Sequence, residues 1–213
     1  MPTKEEIEKI IDLLDHEFFD AYSVFKTYSN LFRSGDDTLD LLKESDAAFF
    51  RELYVVYLNY LSVAVSRLLD PARTGRKLNL TYFHLLDLVE EHTSTPQTQL
   101  RDDLAKCKEN AYNFTEPRNQ LVAHLDLSVN TKSESGKSVP SFQLVEFNAF
   151  YESISKFMNE IRKILGKDPF MYEWGIAGHV HGKKLLHRLA RAESAIKNRI
   201  EKDEGGKPSP ATS

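Results

Sequence analysis

The chain has a single cysteine, Cys107. No intramolecular disulfide framework is possible, and a lone thiol in a reducing compartment is ordinarily a small buried side chain. Secretion is not expected either, because Met1-Pro2-Thr3-Lys4-Glu5-Glu6 is acidic and lacks the apolar run that export requires. No stretch reads as a membrane span. The most apolar one, residues 47–69, is interrupted by Arg51, Glu52, Asn59 and Arg67, charges and amides that are costly inside a bilayer. A cytoplasmic protein with no membrane partner is the expectation. The net charge of −4 leaves no positive excess, so any nucleic-acid contact must come from a local basic surface. Gly-rich phosphate loops, strand-helix alternation and internal repeats are absent too, which excludes the common nucleotide-binding α/β folds and solenoids.

What is present is helical periodicity. Hydrophobic residues make up 41% and charged residues 28%, an ordinary globular balance. Ile7, Ile10, Ile11, Leu14, Phe18, Ala21, Tyr22 and Phe25 recur at the spacing that lines one face of a helix over residues 4–33. Ser34-Gly35-Asp36-Asp37 ends it. From Leu39 to Leu69 apolar residues occupy nearly every face, the pattern of a helix packed on several sides at the centre of a bundle, until Asp70-Pro71 stops it. A basic loop follows. Asn79 is then the expected N-cap of a helix running to about His92, with Phe83, Leu86, Leu88 and Val89 as its apolar contacts.

Leu100, Leu104, Cys107, Ala111 and Phe114 form the next stripe, and Pro117 either kinks that helix or starts a new one capped by Thr115. Residues 130–139 read as a polar loop. Asn148 is the expected cap of a helix carrying Phe150, Ile154, Phe157, Ile161, Ile164 and Leu165, which Gly166 to Pro169 terminate. A last helix spans roughly 180–202 through Leu185, Leu189, Ala192 and Ile196. The fold class is therefore all-α, an antiparallel helical bundle with an additional C-terminal helix. One domain is expected over 1–202, with 203–213 a disordered tail.

The residues that carry chemistry lie between Arg118 and Asp126. At 100° per residue Leu121, Leu125 and Val122 stand about 300°, 340° and 40° from Arg118, so the arginine occupies the middle of an apolar stripe. A guanidinium there requires a partner or a ligand. It binds a phosphate through two hydrogen bonds at once, and a helix N-terminus favours the same anion. His124 has an imidazole able to exchange a proton near neutrality. It lies about 120° from Arg118 on an ideal helix, so one helix does not present both groups side by side, whereas a symmetric dimer brings in a second copy. The alternative is structural: Arg118 paired with a core carboxylate and His124 a satisfied, partly buried histidine.

The segment Glu116-Pro117-Arg118-Asn119-Gln120-Leu121-Val122-Ala123-His124-Leu125-Asp126 resembles the signature of the HEPN superfamily, an arginine separated by four to six residues from a histidine; here five intervene. The polar Asn119 after the arginine resembles the form in HEPN ribonucleases. The Ala123-His124-Leu125-Asp126 ending, with Ser66-Arg67-Leu68-Leu69-Asp70 upstream, resembles the abortive-infection AbiU-like branch. The resemblance implies a helical bundle that dimerises so that two motifs share one cleft, and metal-independent RNA cleavage with no cofactor. It implies that Arg118 holds the scissile phosphate, His124 handles the proton of the 2′-hydroxyl or leaving oxygen, and Asn119 orients one of them. Members silenced by nucleotidyltransferase partners often carry a tyrosine two residues after the histidine. Asp126 stands there, so silencing by modification at that position is not expected. Asp126 is instead a candidate to fix the His124 tautomer, or a solvated residue at a helix end. The partners implied are RNA, a second copy of the chain, and an antitoxin or regulatory protein.

Other clusters carry less. Arg67, Arg73, Arg76 and Lys77 offer a basic surface for an RNA backbone, with a solvated loop as the equal alternative. His179, His181 and His187 match no common zinc spacing, so no metal site is expected. Lys184, Arg188 and Arg191 line one stripe of the last helix, ordinarily a solvent face. Tyr54, Tyr57 and Tyr60 read as core or interface.

Overall fold

A computed structural model describes residues 1–112, 144–172 and 182–205. Among them are six helices: α1 (Lys4–Phe32), α2 (Asp36–Leu69), α3 (Tyr82–Thr93), α4 (Thr98–Asn110), α5 (Leu144–Ile164) and α6 (Lys183–Gly205). The strands β1 (Arg73–Thr74) and β2 (Lys77–Leu78) form one small hairpin between α2 and α3. The protein is all-α, as the periodicity predicts. It divides into two compact units, Met1–Phe25 with Val56–Gly178, and Lys26–Val55 with His179–Ser213. Both α1 and α2 contribute to each.

The first unit is organised on α1. Thr3 and Glu6 close its start as a reciprocal box, the Thr3 N–H donating to Glu6 Oε2 at 2.7 Å and the Glu6 N–H to Thr3 Oγ1 at 3.2 Å. Ile7, Ile11, Leu14, Phe18, Ala21, Tyr22 and Phe25 are all buried, the expected stripe apart from the half-buried Ile10. The stripe meets α5 in an aromatic seam. Phe18 stacks on Tyr151 at 4.8 Å between centroids, and Phe25 on Phe147 at 3.9 Å. The later residue of α1 meets the earlier residue of α5, so the two helices run antiparallel.

That seam also explains where α5 begins. Asn148 does not cap it; the helix already starts at Leu144, and Phe147, buried against Phe25, holds the extra turn in place. Its far end follows the expected chemistry. Gly166 takes φ +68°, its N–H donates to the Lys163 carbonyl at 3.0 Å, and the Lys167 N–H reaches the Arg162 carbonyl at 2.8 Å. This is a Schellman cap, a conformation that glycine enters without steric penalty.

The start of α3 also differs from expectation. Thr81, not Asn79, caps α3, its hydroxyl accepting from the His84 N–H at 3.2 Å. Asn79 is occupied with the preceding loop: its amide donates to the Pro71 carbonyl and to Thr74 Oγ1, both at 2.8 Å. The helix consequently buries Tyr82, Leu85, Leu86 and Val89, with Phe83 and Leu88 only half-buried.

Helix α2 is neither continuous nor surrounded. Asp46 adopts an extended backbone, φ −168° and ψ 92°, and breaks it in two. Its carboxylate accepts from the Phe49 N–H at 3.0 Å, the bond of an N-cap restarting the helix. In the first unit α2 buries Leu61, Val65, Leu68 and Leu69 while Val56 and Tyr60 stay exposed. One arc is packed, so the many apolar residues of this helix do not make it the centre of a bundle.

The second unit contains the end of α1, the start of α2 and α6. Tyr28 and Phe32 pack on Tyr54 at 5.7 and 5.3 Å. Helix α6 faces α2 through Lys197, which pairs with Glu44 at 3.0 Å, and Glu193, which accepts from Ser45. It runs to Gly205, past the expected start of the tail at 203. No helix among the described residues is long and apolar enough to cross a membrane.

Candidate functional site

The arginine-histidine motif, Arg118, Asn119, His124 and Asp126, lies outside the described residues, as do Thr115, Pro117, His179 and His181. What the structure gives is the framework on either side: α4 leads to Asn110, α5 resumes at Leu144, and these two helices pack on each other.

A cavity of about 830 Å³ opens along that pairing. Leu104, Cys107 and Phe157 form buried parts of its wall, and Lys106, Lys156 and Lys163 stand exposed on its rim. Burial pushes the Cys107 thiol up to about 12, so at neutral pH it is a protonated core group and no nucleophile. The expectation of a small buried cysteine holds.

Helix α4 is fixed to α3 by charge. Arg101 reaches Asp87 at 2.8 Å and Glu90 at 2.5 Å. Burial acts to raise the Glu90 carboxyl, but hydrogen bonds from Arg101 and from the Gln97 N–H outweigh it and hold the group below its ordinary range. Glu90 thereby anchors both the start of α4 and its side.

A second polar cluster was not anticipated. Asp15 of α1 and Arg162 of α5 form an almost buried ion pair, 13% and 11% exposed. The Tyr172 hydroxyl donates to Asp15 at 2.7 Å. The strap from Gly166 to Tyr172 is held to α5 by Asn159, which donates to the Phe170 carbonyl and accepts from its N–H, at 3.1 and 2.8 Å. The Tyr151 hydroxyl adds a bond to the Tyr172 carbonyl at 2.9 Å. Desolvation raises the Asp15 carboxyl, with Tyr172 and Arg162 offsetting part of the rise. One signal for this cluster was in the sequence: on a helical projection Asp15 falls about 20° from Tyr22, inside the apolar arc of α1. A carboxylate in that arc needs a cation or donors.

The four basic residues expected to touch substrate are all exposed, in two arrangements. Arg67, at the end of α2, lies 3.6 Å from Glu17. Arg73, Arg76 and Lys77 belong to the hairpin, which turns at Gly75 with φ +61° and pairs Arg73 with Leu78 and Thr74 with Lys77. Paired residues share a face of a ribbon and consecutive ones alternate. Arg73 and Lys77 therefore stand on opposite faces, and the hairpin does not gather them into one patch. His187 is exposed on α6.

Comparison with known proteins accounts for most of this framework. The HEPN-group family profile described as AbiU2 matches residues 4–176, a span covering α1 to α5 and the arginine-histidine segment but not α6. No curated protein and no solved structure matches the chain. The helical architecture, the motif spacing and the matched span agree: this chain belongs to the AbiU2 family of HEPN proteins.

Proposed function

We propose that the chain is a metal-independent endoribonuclease of HEPN type that acts in abortive infection or a toxin-antitoxin setting. The observation that carries this reading is the Arg118-Asn119 and His124 motif inside the span matched to the family. Arg118 binds the scissile phosphate through its planar fork, neutralising charge that develops in the transition state. His124 moves the proton of the attacking 2′-hydroxyl or of the leaving oxygen, and Asn119 orients one of these groups. Acid-base help of this kind contributes typically ~10²- to 10⁴-fold, and a positioned charge donor a similar amount. Cleavage by 2′-hydroxyl attack leaves a cyclic phosphate and needs no added nucleophile.

Helix geometry supports a composite site. On an ideal helix Arg118 and His124 would stand about 120° apart, so one copy would not present both groups side by side, and a homodimer supplies the facing set. Its activity must be restrained in the cell, and an antitoxin or regulatory protein fills that role.

The test is cleavage of single-stranded RNA by the purified full chain in EDTA. Cyclic-phosphate ends are expected, with loss of cutting in Arg118→Ala and His124→Ala at unchanged melting temperature. Full activity in either variant removes the mechanism. RNA binding that survives in His124→Ala, with no turnover by the parent chain, assigns the protein instead to non-catalytic RNA binding.

A further inference from the structure

Helix α6 lies outside the family-matched span and carries a feature that the ribonuclease reading leaves unused. At 100° per residue, Lys184, Arg188, Arg191, Ala195 and Arg199 fall within about 80° of arc, a ridge about 22 Å long. All four cations are exposed, and none has an ion-pair partner among the described residues. Glu193 is the one acidic residue of 183–200. It points to the other side of the helix, about 160° from the centre of the ridge, and engages Ser45. Lys197, about 160° away as well, is the cation committed to α2, through Glu44. Over 183–200 the helix thus divides its charge, with Glu193 and Lys197 engaged by α2 and a row of cations, without ion-pair partners among the described residues, on the opposite side; Glu201, Asp203 and Glu204 follow only in its last turn.

We infer that this ridge is a rail for the phosphate backbone of single-stranded RNA, holding substrate by charge without reading sequence. The inference rests on RNA being the substrate and names the surface that holds it. Complementarity chooses the occupant: the chain is acidic overall, at −4, so an unopposed basic row is a local feature directed at a polyanion. A membrane surface fits less well. Beside the ridge the large exposed apolar residues are Leu185, Ile196 and Ile200, a narrow aliphatic stripe, and no aromatic residue occurs in 183–200, whereas interfacial helices bury a broad apolar face with Trp, Phe or Leu.

The experiment measures binding of labelled poly(U) to the full chain across a salt series, in a His124→Ala background that prevents cutting. Each phosphate contact on a single strand contributes about 0.7 to the slope of log K against log salt. The Lys184→Gln, Arg188→Gln, Arg191→Gln and Arg199→Gln combination should lower that slope by about 3 and weaken binding by about 100-fold at physiological salt. A charge-matched control at Lys4, Lys9, Lys43 and Lys108 should change neither by a comparable amount. Glutamine is a good helix former, and an unchanged melting temperature shows that the unit is intact. An unaltered slope in the ridge variant, or an equal loss in the control, overturns the inference. So does ridge-dependent binding to phosphatidylserine vesicles without ridge-dependent binding to RNA. The two readings fail separately: ridge-dependent RNA binding without cleavage by the parent chain supports the rail and removes the ribonuclease, while His124-dependent cleavage with an unaltered slope does the reverse.

Discussion

Tyr172 donates its hydroxyl hydrogen to Asp15 across 2.7 Å, joining residues 157 positions apart, and Arg162 pairs with the same carboxylate. The cluster welds the first helix to α5 and to the strap that follows it. Because burial raises the Asp15 carboxyl above its ordinary 3.8, the folded state binds this proton more readily than the unfolded chain. The contribution of Asp15 to stability therefore falls as pH rises from 3.8 through the folded pKa, the reverse of an ordinary paired aspartate.

From this follows the behaviour of Arg162→Met. Removing the cation strands a nearly buried carboxylate, and the expected cost at pH 7 is about 3–5 kcal/mol. At pH 4 the loss should shrink, because Asp15 then takes up a proton instead of remaining charged. Urea denaturation at both pH values checks this; an equal cost at each would show that Asp15 is not the group responsible.

Tyr82 presents the opposite case. Its ring is fully buried against Phe157, and its hydroxyl has no hydrogen-bond partner among the described residues. Leaving such a group buried costs about 1–3 kcal/mol. Tyr82→Phe should be neutral or raise stability by about 1 kcal/mol, read as a shift in the denaturation midpoint at constant slope. A clear destabilisation would mean that the hydroxyl is satisfied after all.

The restart of α2 depends on a single carboxylate. Asp46→Ala should cost about 1 kcal/mol by removing the bond to the Phe49 N–H, whereas Asp46→Asn, an equally good cap, should cost little. Thermal melts of the two variants separate capping from the loss of side-chain bulk.

Cys107 should resist alkylation. Its thiol is buried and pushed up to about 12, so iodoacetamide at pH 8 should leave the native chain unlabelled and label it fully in denaturant. The sign of the linked effect is fixed. Between 9.0, where an exposed thiol ionises, and about 12, the unfolded chain loses this proton first, so the group lowers stability as pH rises through that window.

How much of the molecule was legible in advance follows from the range of each interaction. The stripes of α1 and α5 and the Gly166 stop are local or periodic, and they read directly. The Asn79, Asn148 and Asp46 boundaries did not. Several residues near each were able to cap, and the choice fell to distant partners such as Phe25 against Phe147 or, at Asn79, to a loop that took its amide. The basic quartet was visible as composition, but strand pairing decided that Arg73 and Lys77 face apart.

By itself the sequence determined the helical class, the principal stripes and the arginine-histidine motif with its family, because these are carried by periodicity and by residue identity at fixed spacing. Only the tertiary structure decided that Asp15, Arg162 and Tyr172 meet, that α2 breaks at Asp46 and buries one arc, and that α6 leaves Lys184, Arg188, Arg191 and Arg199 exposed. Each of these depends on which surfaces pack, a balance of burial and desolvation between elements far apart in the chain.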